Sequence, residues 1–335
     1  MPEHGETFDT EDDLGGIVKT RVITDRTRTV INRVDSPDIA FDWTINPYRG
    51  CEHGCTYCYA RPFHEYLGLS AGLDFETTIV AKRDAPQLLE RELGRASWGG
   101  EPIVMSGITD PYQPIERRLR ITRGILERCR ARGQPVSFIT KSRLICRDLD
   151  LLAPMAAAGR AQAGISLTTL DPELSRDMEP RAASPSQRLE TIRRLADAGV
   201  AVRVMTAPII PGLNDRELPA LLEAAADAGA SSAGYVLLRL PHGVKDIFLE
   251  WLDRTRPLAR SRVESFIRAS RGGKLYDAHP GAEGNQRRAG RGPMAEQIKQ
   301  MFMLHARRCG LPTERASLAP NPAVSSTDPN QPTLF

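Results

Sequence analysis

The sequence contains no run of about eighteen apolar residues, the length that a membrane-spanning helix needs, so it offers no transmembrane segment. Its start is acidic and lacks a basic stretch followed by an apolar one, so no export signal is expected. Cysteine is scarce, six in 335 residues, which excludes the dense disulfide framework of small secreted domains. Free thiols in an unexported chain point to a reducing cytoplasm. Net charge is only +3, so no strong single-sign field covers the whole molecule. Apolar residues make up 41% and charged residues 26%, sufficient for a large buried core.

The charge is unevenly spread. Residues 1–15 carry six acidic residues and no Lys or Arg, whereas 254–310 carry thirteen Lys or Arg against four acids. That asymmetry points to an anionic partner, with nucleic acid as one candidate. The segment from Gly281 to Pro293 is rich in Gly and Arg, chemistry suited to phosphates. Trp251, Phe266 and Tyr276 are interspersed nearby as candidate stacking rings for bases. The plainer reading of the segment is a surface loop flanked by helix charges.

Five units are expected along the chain: a disordered acidic start (1–16), an N-terminal extension (17–45), a core (46–245), a helical C-terminal extension (246–315) and a disordered tail (316–335). Val18 to Asn32 alternates apolar and polar residues, as one or two strands would. Core strands are expected over Thr77–Ala81, Pro102–Ser106, Val136–Thr140, Ala163–Leu167, Ala201–Ala207 and Gly234–Leu238. Helical spacing fills the gaps: Ala85–Leu93, Arg123–Arg132, Asp148–Ala158, Ser184–Ala198 and Asp215–Ala228. Ser184 before Pro185 reads as an N-terminal cap, and Gly133, Gly159, Gly199 and Gly229 read as left-handed C-terminal caps. Six βα units in series make a parallel sheet and fit an α/β partial (β/α)6 TIM-like barrel rather than the closed eight-stranded one. Helices are expected again over Ile247–Thr255, Ser261–Ala269 and Met294–Arg308.

Three of the six cysteines stand together in Tyr48-Arg49-Gly50-Cys51-Glu52-His53-Gly54-Cys55-Thr56-Tyr57-Cys58-Tyr59. The spacing C-x3-C-x2-C offers three thiolates from one loop, with no fourth cysteine close behind. A [4Fe-4S] cube has four iron corners and proteins usually fill all of them. Three local thiolates leave one iron open for chemistry. A structural zinc site is the competing reading, with His53 or His64 as a fourth ligand to Cys51, Cys55 and Cys58. In that case the chain is a non-catalytic, zinc-stabilised nucleic-acid-binding protein. Cys129, Cys146 and Cys309 read as ordinary thiols.

C-x3-C-x2-C with Tyr57 just before the third cysteine resembles the cluster loop of the radical S-adenosylmethionine (SAM) enzymes, and within them the spore-photoproduct-lyase-like branch. The resemblance covers Asn46 to about Pro241 and itself implies a partial (β/α)6 barrel. It implies a [4Fe-4S] cluster whose open iron chelates SAM, reductive cleavage to a 5′-deoxyadenosyl radical, and hydrogen abstraction from a substrate, in a lyase-like or transferase-like enzyme. It further implies an external reductant such as flavodoxin or ferredoxin.

Ligands of parallel α/β folds bind beyond the C-terminal ends of the strands. Ile103 to Met105 runs into Ser106-Gly107-Ile108-Thr109-Asp110-Pro111, where Thr109 and Asp110 supply oxygens for an ammonium group. The resemblance gives them the SAM amino group; the bland alternative is that Asp110 caps the turn before Pro111. Lys141, ending Phe138-Ile139-Thr140-Lys141, suits a carboxylate, and the resemblance makes it that of SAM. Ser166 would meet the ribose by the same resemblance, and the backbone of Tyr57 the adenine, with the apolar run from Val204 to Ile210 flanking the ring. Arg49 and Tyr59 border the loop.

Overall fold

The computed structural model describes residues 5–35, 41–105, 107–276, 286–314, 317–318 and 321. Eleven strands are present among them: β1 (Glu6–Glu11), β2 (Ile17–Thr24), β3 (Asn32–Arg33), β4 (Trp43–Ile45), β5 (Tyr48–Arg49), β6 (Thr78–Ala81), β7 (Ile103–Met105), β8 (Val136–Thr140), β9 (Ala161–Ser166), β10 (Ala201–Ile209) and β11 (Ser232–Leu237). Six of them, β4, β7, β8, β9, β10 and β11, lie side by side in that order and are all parallel, with β3 antiparallel on the outer edge of β4. Helices Ala85–Leu93, Ile121–Arg132, Leu149–Ala157, Pro185–Asp197 and Leu218–Asp227 cover this sheet. The fold is the expected α/β arrangement of six parallel strands.

One strand of the six was misassigned from sequence. The opening strand is β4, not the Thr77–Ala81 run; β6 instead joins a second, four-stranded sheet of order β1-β2-β6-β5. The reason is length. β4 has only three residues before Asn46-Pro47, and Pro47 has no N–H to continue a ladder, so no apolar run announces it. All four residues of β6 are buried, so its apolar sequence is equally satisfied by the smaller sheet.

The acidic start also differs from expectation. Residues 6–11 form β1, paired antiparallel with β2 from Glu6↔Val22 to Glu11↔Ile17. The turn is closed by Asp12, whose Oδ1 accepts from the N–H groups of Leu14 and Gly16, each at 2.8 Å. The acids that suggested disorder meet basic residues from elsewhere in the fold: Glu6 meets Arg83 at 2.6 Å, and Asp13 meets Arg117 at 2.7 Å. Of the expected tail, Ser317, Leu318 and Asn321 are described; Asn321 is buried and donates to the Arg132 carbonyl at 3.0 Å. The remaining positions of 316–335, and Met1 to His4, lie outside the described residues.

The helix signals match the structure. Ser184 and Gln187 form a reciprocal capping box, Gln187 N–H to Ser184 Oγ at 3.3 Å and Ser184 N–H to Gln187 Oε1 at 2.9 Å. Gly133 and Gly229 follow their helices at φ 64° and 93°, a left-handed conformation that glycine adopts without a Cβ penalty. The C-terminal helices are Val244–Thr255, Arg260–Ala269 and Pro293–Arg308. Cys129 and Cys146 are buried in the main core, away from the loop of three.

Candidate functional site

The loop from Gly50 to Cys58 follows β5 and is held by its backbone. Arg61, only 1% exposed, donates to the carbonyls of Cys55 and Gly54 at 2.9 Å each and to Ala71 at 3.0 Å and Gly72 at 3.1 Å. Its guanidinium also pairs with Glu76 at 2.5 Å, and Glu76 pairs with Arg181, which in turn donates to the Glu52 carbonyl. The loop's two glycines are required where they stand. Gly54 has φ 67°, and a Cβ there would meet the Arg181 guanidinium and the Glu76 carboxylate. Gly50 has φ 81°, and a Cβ there would come within 2.8 Å of the His64 ring.

Cys51 and Cys55 are buried and Cys58 is half-buried. Burial pushes the Cys55 and Cys58 thiols up, while Lys141 pulls both back toward the thiolate. Cations surrounding three thiols of one loop are the donor set and charge environment that an iron–sulfur cluster needs, because coordination takes the thiols' protons.

The Thr109–Pro114 segment grips this loop from the second parallel strand. Thr109 Oγ1 donates to the Tyr48 carbonyl at 2.9 Å. Gln113 spans the loop's entry, its Nε2 donating to the Gly50 carbonyl at 3.1 Å and its Oε1 accepting from Glu52 N–H at 3.0 Å. The buried Glu52 carboxylate accepts from Thr20 and from Ile115 N–H. Asp110 accepts from Thr140 Oγ1 at 2.7 Å, Tyr112 N–H at 2.9 Å and Lys141 N–H at 2.8 Å, and stands 3.3 Å from His53 Nδ1. Those four partners take all four acceptor positions of its carboxylate. Burial would raise Asp110, but His53 and these hydrogen bonds hold it below the usual carboxylate range. Burial works against protonation of His53, yet Asp110 and Cys51 lift it to about 10. The expected turn cap at Asp110 is therefore present, and the residue also braces His53.

Lys141 and Tyr57 come together on the far side. Lys141 Nζ stands 5.9 Å from the Tyr57 ring centroid. Burial disfavours the ammonium, but Cys55 and Glu179 outweigh it and raise Lys141. The Tyr57 hydroxyl donates to Glu179, whose carboxylate also accepts from Thr168 Oγ1 at 2.8 Å and pairs with the buried Arg188. Arg188 donates in addition to the carbonyls of Ser166 (3.1 Å) and Ala183 (2.7 Å), so Ser166 is buried at the end of β9 and tied to the same network. Ile210, in the run expected to flank adenine, packs in the same apolar group as Cys55 and Tyr57. Arg49 pairs with Asp25 at 3.4 Å, and the Tyr59 hydroxyl donates to the Gly107 carbonyl at 2.7 Å.

Sequence reasoning missed Arg61, Glu76, Gln113, Glu179, Arg181 and Arg188. Arg188 carried a signal: it stands four residues before Ile192 and seven before Leu195, on the buried face of its helix. The proposed stacking residue Trp251 is a correction, since it is 2% exposed and packs on Phe248 with ring centroids 5.4 Å apart. Phe266 and Tyr276 are half-buried; Gly281 to Asn285 lie outside the described residues.

His64, a fourth-ligand candidate in the zinc reading, is held by the backbone. His64 Nε2 is 2.9 Å from the Thr78 carbonyl, and burial holds the ring neutral, so that nitrogen is the donor. Among the described residues no three His, Cys, Asp or Glu side chains converge as one tetrahedral ion requires. His53 Nε2 is buried without a partner in the loop itself, a free donor beside Cys51 that suits the sulfur-rich surface of a cluster. Replacing Gln113 by alanine is expected to slow anaerobic reconstitution several-fold and lower iron occupancy, with Tm changed by only a few degrees. Iron content and iron–sulfur absorbance against reconstitution time check this; an unchanged time course removes Gln113 from the loop's support.

Comparison with known proteins agrees with this geometry. The family model described as Radical SAM superfamily matches residues 45–225. The uncharacterized protein Rv2578c of Mycobacterium tuberculosis (strain ATCC 25618 / H37Rv) is 38% identical over 244 residues, 72% of either chain. The uncharacterized protein MJ0683 of Methanocaldococcus jannaschii is 29% identical over 199 residues, 59% of this chain and 71% of that protein. Among solved structures, spore photoproduct lyase complexed with dinucleoside spore photoproduct superposes with a TM-score of 0.60 at 18% identity, covering 87% of this chain and 80% of that one. A mutant of the same lyase with bound AdoMet and dinucleoside spore photoproduct gives 0.58 at 16% identity, over 88% and 82%. At these identities the likeness is one of fold.

Proposed function

The chain belongs to the radical SAM superfamily, whose enzymes use a [4Fe-4S] cluster and SAM, and on that footing we propose that it reductively cleaves SAM to a 5′-deoxyadenosyl radical that takes a hydrogen atom from a substrate. The observation that carries this reading is the arrangement of Cys51, Cys55 and Cys58. Three thiols of one loop, locked by Arg61 and Gln113, stand where Lys141 reaches them from the end of β8.

The side chains divide the work. Cys51, Cys55 and Cys58 hold the cluster. Lys141 presents its ammonium to the SAM carboxylate, held in place by Glu179 and the Tyr57 ring. Ser166 serves the ribose, and the Tyr57 backbone and Ile210 border the adenine. Thr109 and Asp110 would act through the loop and through His53, since the Asp110 acceptors are already filled. Water is kept out by the packed group of Tyr57, Leu174, Met178, Ile210 and Leu240.

An external electron donor is required, and flavodoxin or ferredoxin fits that need. Among the described residues no helix is long and apolar enough to cross a membrane. An oxygen-sensitive cluster and free thiols accord with a cytoplasmic setting. A nucleic acid is a candidate substrate, supported by the basic C-terminal region.

The test is anaerobic reconstitution with iron and sulfide, reduction with dithionite, and chromatographic measurement of 5′-deoxyadenosine. Several turnovers of uncoupled product and an altered EPR spectrum on adding SAM are expected. No 5′-deoxyadenosine from protein carrying a full complement of iron would sink the reading.

A further inference from the structure

Several arginines inside this fold are matched to carboxylates, Arg61 to Glu76, Arg147 to Glu116, Arg181 to Glu76 and Arg188 to Glu179, while Arg271 donates to the Leu237 and Leu238 carbonyls. Arg239, two residues beyond the end of β11, meets no carboxylate among the described residues. Its Nε is fully enclosed and has no hydrogen-bond partner. Its guanidinium carbon stands 5.9 Å from the centroid of the Tyr59 ring. Tyr59 directly follows Cys58 and is pinned by its hydroxyl to the Gly107 carbonyl, so the ring is a fixed platform that holds the guanidinium at the open end of the strands, beside the cysteine loop. Arg239 is half-buried, so its guanidinium is placed to pair with a ligand anion.

A cavity of about 380 Å³ opens just beyond Arg239, lined by His242, Lys245, Arg268, Lys274 and Tyr276 around Leu240. Leu240 also belongs to the apolar group that contains Cys55 and Tyr57, so the cavity and the cysteine loop border one packed cluster. None of the described lining residues is acidic. Arg268 is paired with Glu264 at 2.7 Å, which leaves Lys245 and Lys274 as the lining cations that meet no carboxylate among the described residues. Lys245 lies in the first turn of the Val244–Thr255 helix, next to Asp246. The His242 and Tyr276 rings stand 6.4 Å apart, offering flat faces at the rim.

We propose that Arg239 and this cavity form the substrate's anchoring site, and that the substrate carries phosphate. Arg239 takes a phosphate oxygen pair with its fork beside the reacting centre, and the cavity takes further negative charge and a ring. A single carboxylate would leave most of these cations unmatched. The assignment of Arg239 to substrate rests on the radical SAM reading; the binding of phosphate does not.

The test uses the anaerobically reconstituted protein and four probes: a fluorescent single-stranded deoxynucleotide 10-mer, a nucleoside monophosphate, inorganic phosphate and citrate. The phosphate esters are expected to bind and raise Tm, and citrate is not. Tighter binding of the 10-mer than of the monophosphate identifies a nucleic-acid source, and the reverse identifies a free nucleotide. Arg239→Gln is expected to weaken binding at least tenfold while the ligand-free Tm stays level or rises, which a merely structural arginine would not do. The double variant Lys245→Ala, Lys274→Ala provides the same loss at exposed positions if Arg239→Gln does not fold. Equal binding of citrate, no binding of any phosphate ester, or affinity within twofold in these variants overturns the proposal. Binding with no 5′-deoxyadenosine sinks only the radical reading, and 5′-deoxyadenosine with variant-insensitive binding sinks only the site.

Discussion

Replacing Cys55 by alanine is expected to remove the iron–sulfur chromophore and to drop 5′-deoxyadenosine formation by a factor on the order of a thousand or more. On the proposed reading only three thiolates from one loop would hold the cluster, so losing one would leave two protein ligands for four irons, too few to retain a cube. The fold itself should survive. Cys55 contributes a small buried side chain, the loop's backbone is held by Arg61 through the carbonyls of Gly54 and Cys55, and neither bond needs the sulfur. Iron and sulfide analysis beside circular dichroism reads both effects. Cys129→Ala, in the main core, is the contrasting case: some stability is lost through the cavity and the cluster is retained. Full iron content in Cys55→Ala would mean that the ligand set lies elsewhere.

Glu179→Gln is expected to cost about 3–5 kcal/mol and to lower Tm by roughly 10 °C, because it leaves the Arg188 guanidinium charged and enclosed without its partner. It also weakens the acceptor shared by the Tyr57 and Thr168 hydroxyls. Pairing the change with Arg188→Met should recover part of the loss, since a neutral amide beside an apolar side chain leaves no orphaned charge. The pH dependence follows from the same pair. Burial raises the Glu179 pKa, but Arg188 and Lys141 prevail and hold it below the ordinary value. A depressed carboxylate gives stability that is present above its unfolded pKa, about 4.3, and is lost as pH falls through its folded value. Acid unfolding in Glu179→Gln should therefore show a weaker dependence on pH below that point than in the parent. Thermal melts across pH 3–7 check this; parallel curves would remove the pair from the stability balance.

Much of the arrangement was legible in order along the chain. Apolar runs of five to seven residues marked five of the six parallel strands, because buried strands of a parallel sheet show no polar face to confuse the pattern. The capping box at Ser184 and the glycines closing the helices are local chemistry and appear as such. β4 escaped because three residues cannot display a period. β1 was read as disorder because its acids find Arg83 and Arg117 only after folding. Trp251 was offered to solvent in the sequence reading, yet it is core.

By itself the sequence determined the three cysteines and their spacing, five of the six parallel strands, and Lys141 at a strand end. These are properties of consecutive residues, and local geometry carries them. Tertiary structure alone decided how that loop is held and what faces it. Glu52 meets Gln113 across 61 positions, Tyr57 meets Glu179 across 122, and Arg181 meets the Glu52 carbonyl across 129. No sequence period encodes contacts of that range; they form only when the packing of the sheet and its helices brings distant strand ends to one place. Arg239 is the same case, an ordinary arginine in the sequence until the fold sets it against Tyr59, where it meets no carboxylate among the described residues.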